Sequence, residues 1–140
     1  MVGAAVISSG GALTLIGTFL PWLRSGARDR ASYTIFDLVE RLGFAPGGVV
    51  ALSLRLWPLV PLLLVVVVTT TWAVATDHLS WRVPVVLAAV AAVWVGGTSV
   101  AVIMAPEIAL FSVGIGPAVT LTGTVVLAAG TAVLRPPSTL

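Results

Sequence analysis

His78 is the sole histidine of the chain, and with Asp77 before it and Arg82 four residues later it forms the most reactive neighbourhood in the sequence. A histidine beside a carboxylate and a cation suits a pH-sensitive contact or a general base. To activate a nucleophile it would need a serine within reach, and Ser8, Ser9, Ser25 and Ser32 have no histidine near them in sequence. A single histidine cannot supply the two axial ligands expected of a membrane b-type haem. Cysteine is absent, which excludes disulfides, thiolate metal sites and lipid attachment through cysteine. Glu107, between Pro106 and Ile108 and close to Phe111, reads as a loop carboxylate. The glycine pairs are not followed by the Lys-Ser/Thr of a phosphate-binding loop. These residues predict no catalytic, cofactor-binding or metal-binding group, and a protein that is not an enzyme.

The elements available to position any such group are four apolar stretches, at about 2–23, 57–75, 84–104 and 116–134, none with an Asp, Glu, Lys, Arg or His in its central part. Each approaches the ~20 residues that a helix rising ~1.5 Å per residue needs to cross ~30 Å of hydrocarbon. The chain is 59% hydrophobic and 9% charged, with a mean hydropathy of +1.15, more apolar surface than 140 residues can enclose. Continuous runs such as Val65 to Val68 favour helices over barrel strands, whose residues alternate between lipid and lumen. The first stretch lacks a basic leading region and exceeds the usual apolar length of a signal peptide, so it reads as a helix of the mature protein. The expected fold is all-α: one integral membrane domain over 1–140, a four-helix bundle with a short amphipathic helix in its first loop. Ionisable groups within membranes are expensive and mark function, so their absence argues against proton, ion or acid–base work there.

The first loop, 24–56, is the sizeable non-membrane segment. Ile35, Phe36, Leu38, Val39 and Leu42 recur near helical spacing with Asp37, Glu40 and Arg41 between them, predicting an amphipathic helix over 33–42 that offers an interaction surface together with Arg55. Thr34 and Asp37 resemble a capping box, Gly43 a stop, and 44–48 a turn. Val49 to Leu56 reads as a second short helix or an extension of the second span, with Arg55 reaching the headgroups and Pro58 and Pro61 in the first turns or at a kink. Trp22, Trp57, Trp72 and Trp81 flank the spans and are expected to anchor them at the lipid–water boundary, whereas Trp94 falls inside the third. All seven basic residues are arginines, five of them in the first loop. Taken alone, the positive-inside rule places that loop in the cytoplasm.

Apolar lipid gives helices no hydrophobic reason to associate, so small residues at four-residue spacing are informative. Gly10, Thr14 and Thr18 form one row, Ala88, Ala92 and Gly96 a second, and Gly116, Thr120, Thr124, Ala128 and Ala132 a third. They predict helix seams within the bundle, and would equally serve a homo-oligomer. Thr69 to Thr71 are expected to bond back to preceding carbonyls.

The runs at 19–26, 30–33 and 37–43, together with Leu54-Arg55-Leu56-Trp57-Pro58, resemble small four-span membrane proteins of actinobacteria. The resemblance implies four spans and carries over no catalytic residues. The partners expected from the whole sequence are the bilayer and a membrane-protein partner or further copies of the chain, with no nucleic acid. The functional expectation is an accessory or assembly subunit of a larger cell-envelope membrane complex, of lipid-transport or respiratory type, and the alternative is a small homo-oligomeric transporter or lipid-binding protein.

Overall fold

The computed structural model describes residues 1–25, 28–41, 48–76, 78–104 and 112–134. Its frame is four helices long and apolar enough to cross a membrane: Val2–Phe19, Leu52–Ala75, Arg82–Met104 and Gly116–Leu134. The first is α1 (Val2–Phe19). The second combines α3 (Val49–Leu56), a 3₁₀ turn at Trp57–Leu59 and α4 (Val60–Ala75). Pro58 and Pro61 cannot donate backbone hydrogen bonds, and the tighter turn takes up that interruption without breaking the run. The third comprises α5 (Arg82–Ala91), a wider π turn at Ala92–Gly96 and α6 (Gly97–Met104). The fourth is α7 (Gly116–Leu134). Each long helix packs on the next, and the fourth closes the ring on the first.

That closure is the tightest seam in the molecule. Gly3, Ile7, Gly10, Thr14 and Gly17 of α1 lie against Leu134, Gly130, Leu127, Gly123 and Thr120 of α7, an antiparallel register with a small residue in every pair. A methyl group added to Gly10 would stand 2.7 Å from the Leu127 Cα, and one added to Gly123 would stand 2.8 Å from the Thr14 Cα, so the backbones themselves are in contact. The contact positions advance by four and three residues alternately. This 3.5-residue period keeps one face of each helix on its partner with a slight left-handed supercoil.

The rows drawn at uniform four-residue spacing are corrected here. At ~100° per residue each four-residue step drifts by about 40° around the helix. On α7 the row begins at Gly116 against Trp22, reaches Thr120 against α1 and Thr124 against Gly96 of the third helix, and ends at Ala128 and Ala132, which are exposed. Ala128 is therefore not a packing residue within the bundle. On the third helix Ala88 and Gly96 are buried and Ala92 half-buried. Gly10 and Thr14 lie in the seam, and Thr18 is buried one step beside it.

The bundle is not purely helical, which corrects the all-α expectation. Pro21 cannot extend α1, and Leu20 before it is extended (φ −69°, ψ 162°), so the first helix ends at Phe19 rather than near residue 23. The chain instead enters β1 (Pro21–Ser25), which pairs antiparallel with β2 (Arg28–Ala31) and with β3 (Ser112–Val113) in the order β2-β1-β3. The sheet ties the first connection to the third at one end of the bundle. There α2 (Ser32–Arg41) follows β2, starting before Thr34, which accordingly lies inside the helix rather than at its cap. Leu42 to Gly47, and the side chains of Leu38 and Val39, lie outside the described residues.

Candidate functional site

The most elaborately built region is the cap formed by β1, β2, β3 and α2 over one end of the bundle. Trp22 on β1 has no exposed surface, and its Nε1 donates to the Gly17 carbonyl at 2.9 Å. Its ring lies 5.4 Å from Trp57 and 5.9 Å from Phe36, Phe36 lies 4.6 Å from Trp57, and Trp57 lies 6.2 Å from Trp94. All four pairs meet nearly edge to face, which sets the positive ring edge on the negative face and contributes about 0.5–1.5 kcal/mol per pair beyond burial.

Ser32, the first residue of α2, links the cap to two long helices. Its Oγ donates to the Thr18 carbonyl at 2.7 Å and accepts from Trp57 Nε1 at 3.0 Å. Tyr33 lies over Phe19 at 5.1 Å and its phenol donates to Thr18 Oγ1 at 3.4 Å, which in turn donates to the Leu15 carbonyl at 2.7 Å. Burial raises the Tyr33 phenol above its ordinary range, an effect partly offset by the Thr18 hydroxyl. Buried polar groups are costly unless paired, and here each is placed to satisfy the next.

Two expectations about aromatic residues are corrected by this arrangement. Trp22 and Trp57, expected at the lipid–water boundary, are 0% and 1% exposed, because edge-to-face packing and an acceptor for each N–H were available inside. Phe36, expected on an outward interaction surface, is turned inward to complete the cluster, with Ile35 half-buried beside it. Trp72 is exposed and donates to Ser8 Oγ at 3.1 Å, while Trp81 is half-buried with the Arg82 guanidinium 6.0 Å from its ring centre.

Among the described residues the cap presents mostly polar side chains outward, with Val113 of β3 also exposed. Arg24 and Asp29 pair at 2.9 Å across β1 and β2, and Arg41 and Asp37 pair at 2.9 Å one turn apart on α2. Such exposed pairs contribute at most about 1 kcal/mol to stability. Arg55, on α3, is exposed.

The residues that prompted chemical readings are not brought together. His78 lies in the second connection, at the end of the bundle opposite the cap, where its Nδ1 donates to the Thr76 carbonyl at 2.6 Å. Asp77 and Glu107 lie outside the described residues. No group of three His, Asp or Glu side chains that could hold a metal ion occurs among the described residues. Buried hydroxyls in the long helices bond back one turn: Thr14 to Gly10, Thr71 to Val67 and Thr120 to Gly116, at 2.7–2.8 Å. Thr69 and Thr70 do the same to Val65 and Val66.

Sequence reasoning missed Ser32 as a hub, because its partners lie 14 and 25 residues away and no local pattern announces them. The available signal was the recurrence of Trp next to Pro at both ends of the first connection, Pro21-Trp22 and Trp57-Pro58. No family model matches the chain, and neither does any curated protein or solved structure.

Proposed function

We propose that this chain is a non-catalytic integral protein of the cell membrane that serves as an accessory or assembly subunit of a larger envelope complex. The observation that carries the reading is the contrast between its two parts. The interior of the bundle is filled by Ile7, Val60, Leu64, Val67, Val95 and Leu127, with hydroxyls satisfied on their own helices, and offers no reactive group among the described residues. The cap is held by a buried aromatic and hydrogen-bond network, and it displays Arg24, Asp29, Asp37 and Arg41 on its outer surface. A rigid polar platform on a chemically inert membrane bundle suits docking rather than turnover. Transport would need a polar-lined pathway, and the filled interior favours the subunit reading over it.

The test is gentle-detergent affinity purification of the tagged chain with mass determination of the intact assembly, in parallel with the cap double variant Arg24→Glu/Asp37→Arg. Stoichiometric recovery of one larger membrane complex with the unsubstituted chain, reduced about tenfold or more by the cap variant, is the expected result. Recovery of the chain alone, or a partner indifferent to the cap, would overturn the reading.

A further inference from the structure

Two arginines of the cap stand without a counter-ion. Arg24 is paired with Asp29 and Arg41 with Asp37, and Arg55 is engaged as well. Arg28 and Arg30, both on β2, have neither an ion pair nor a side-chain hydrogen bond among the described residues. Side chains alternate along a strand, so these two share one face of β2 about 7 Å apart. Asp29, between them in sequence, belongs to the other face, where Arg24 opposite it in the register holds its carboxylate at 2.9 Å.

Arg28 is exposed, whereas Arg30 is half-buried. The Arg30 Nε is enclosed by protein and meets no acceptor. That nitrogen offers nothing to an outside ligand, but its enclosure fixes the guanidinium and strips water from one side of a charge that the chain leaves unpaired. The terminal nitrogens of the same group are not enclosed, and there an anion would compensate the charge.

The chemistry of the pair selects the anion. A guanidinium presents a planar fork that takes two oxygens of a phosphate through parallel hydrogen bonds of about 2.7–2.9 Å. One fork satisfies a carboxylate, which has two oxygens and a single charge. A phosphate monoester has three free oxygens and a charge of about −1.5 to −2, which suits two forks closing from opposite sides.

We propose that Arg28 and Arg30 clamp the phosphate monoester of an anionic lipid headgroup. Arg30 lies opposite Leu23, four residues past the end of α1 at Phe19. At ~3.4 Å per residue that is within about 14 Å of the helix end, from where a long arginine side chain reaches the headgroup layer. The site rests on the membrane reading and is independent of the subunit reading, since a lipid can be held with or without a protein partner.

The experiment is reconstitution in phosphatidylcholine vesicles carrying equal minor amounts of phosphatidic acid, a monoester, and phosphatidylglycerol, a diester, followed by mild extraction and mass measurement of the intact protein with retained lipid. Phosphatidic acid is expected to be retained roughly tenfold better than phosphatidylcholine and about fivefold better than phosphatidylglycerol. Arg28→Lys/Arg30→Lys keeps both charges and removes the forks, so the two anionic lipids should fall to near parity while both remain favoured over phosphatidylcholine. Arg28→Gln, at an exposed position, should lower phosphatidic acid retention about fivefold, and thermal melting shows whether each variant is folded. Equal retention of the two anionic lipids by the unsubstituted chain, or an undiminished monoester preference in the folded lysine pair, would overturn the clamp. Glycerol phosphate bound in phosphatidylcholine vesicles, with no preference for phosphatidic acid, would assign the arginines to a soluble monoester and overturn the lipid source. Flotation with phosphatidylcholine vesicles separates the two readings: a chain that does not float overturns the membrane reading and the site with it, whereas one that floats without monoester preference overturns the site alone.

Discussion

Tyr33 is the sole tyrosine of the chain, so its ionisation can be followed without interference. Its phenol is partly enclosed between α2 and the end of α1, and burial disfavours the phenolate. The folded protein therefore binds this proton more tightly than the unfolded chain, whose phenol titrates near 10. The resulting stability is fully present below about pH 10 and is lost as pH rises through the folded value. Ultraviolet titration of the tyrosinate should give a midpoint above that of free tyrosine, and Thr18→Val should move it further up by removing the hydroxyl that turns from the Leu15 carbonyl to donate to the phenolate. A midpoint at the ordinary value would show the phenol to be solvated. Such residue-scale detail was poorly legible in the sequence: Ser32 and Thr18 are ordinary residues until the fold brings one to the other's carbonyl.

The four long helices were legible as elements because their length and hydropathy are local properties, and α2 was found within a residue at each end by its apolar spacing. The sheet was not. β3 is two residues long and pairs with a strand about ninety positions earlier, so its register is a property of the assembled bundle. The small-residue rows carried real information with the wrong period, since contact between α1 and α7 repeats every 3.5 residues rather than every four. That distinction predicts opposite signs for the same substitution. Gly10→Ala and Gly123→Ala place a methyl against backbone and should each destabilise the protein by about 1–3 kcal/mol. Gly97→Ala meets open space and should gain up to about 1 kcal/mol from helix propensity. Reversible unfolding in mixed detergent micelles measures both, and equal effects at the three glycines would contradict the seam.

At the scale of the whole molecule, the pairing of β1 with β3 puts the first and third connections at one end and the second connection, with His78 and Arg82, at the other. Four arginines in the first connection, with Arg55 near the start of the second long helix, then predict that the cap faces the cytoplasm. The cysteine-free sequence allows a direct check with Thr34→Cys on exposed α2 and Ser80→Cys in the second connection. A membrane-impermeant maleimide added to intact cells should label position 80 and spare position 34 until the cells are opened; the reverse pattern would invert the topology. The number of long apolar helices follows from composition, whereas which helices touch, and how closely, depends on glycines whose meaning appears only in the closed ring.

The seam between α1 and α7 also sets an order of assembly. Gly17 and its partner Thr120 are separated by about a hundred residues of chain, which synthesis at ~5–20 residues per second supplies in roughly 5–20 s. During that interval the glycine face of the first helix is uncovered, and β1 lacks one of its two neighbours. The last helix to emerge completes both. A nascent chain halted before residue 116 thus displays a bare backbone groove that the finished protein never exposes, a mark by which incomplete copies differ physically from complete ones.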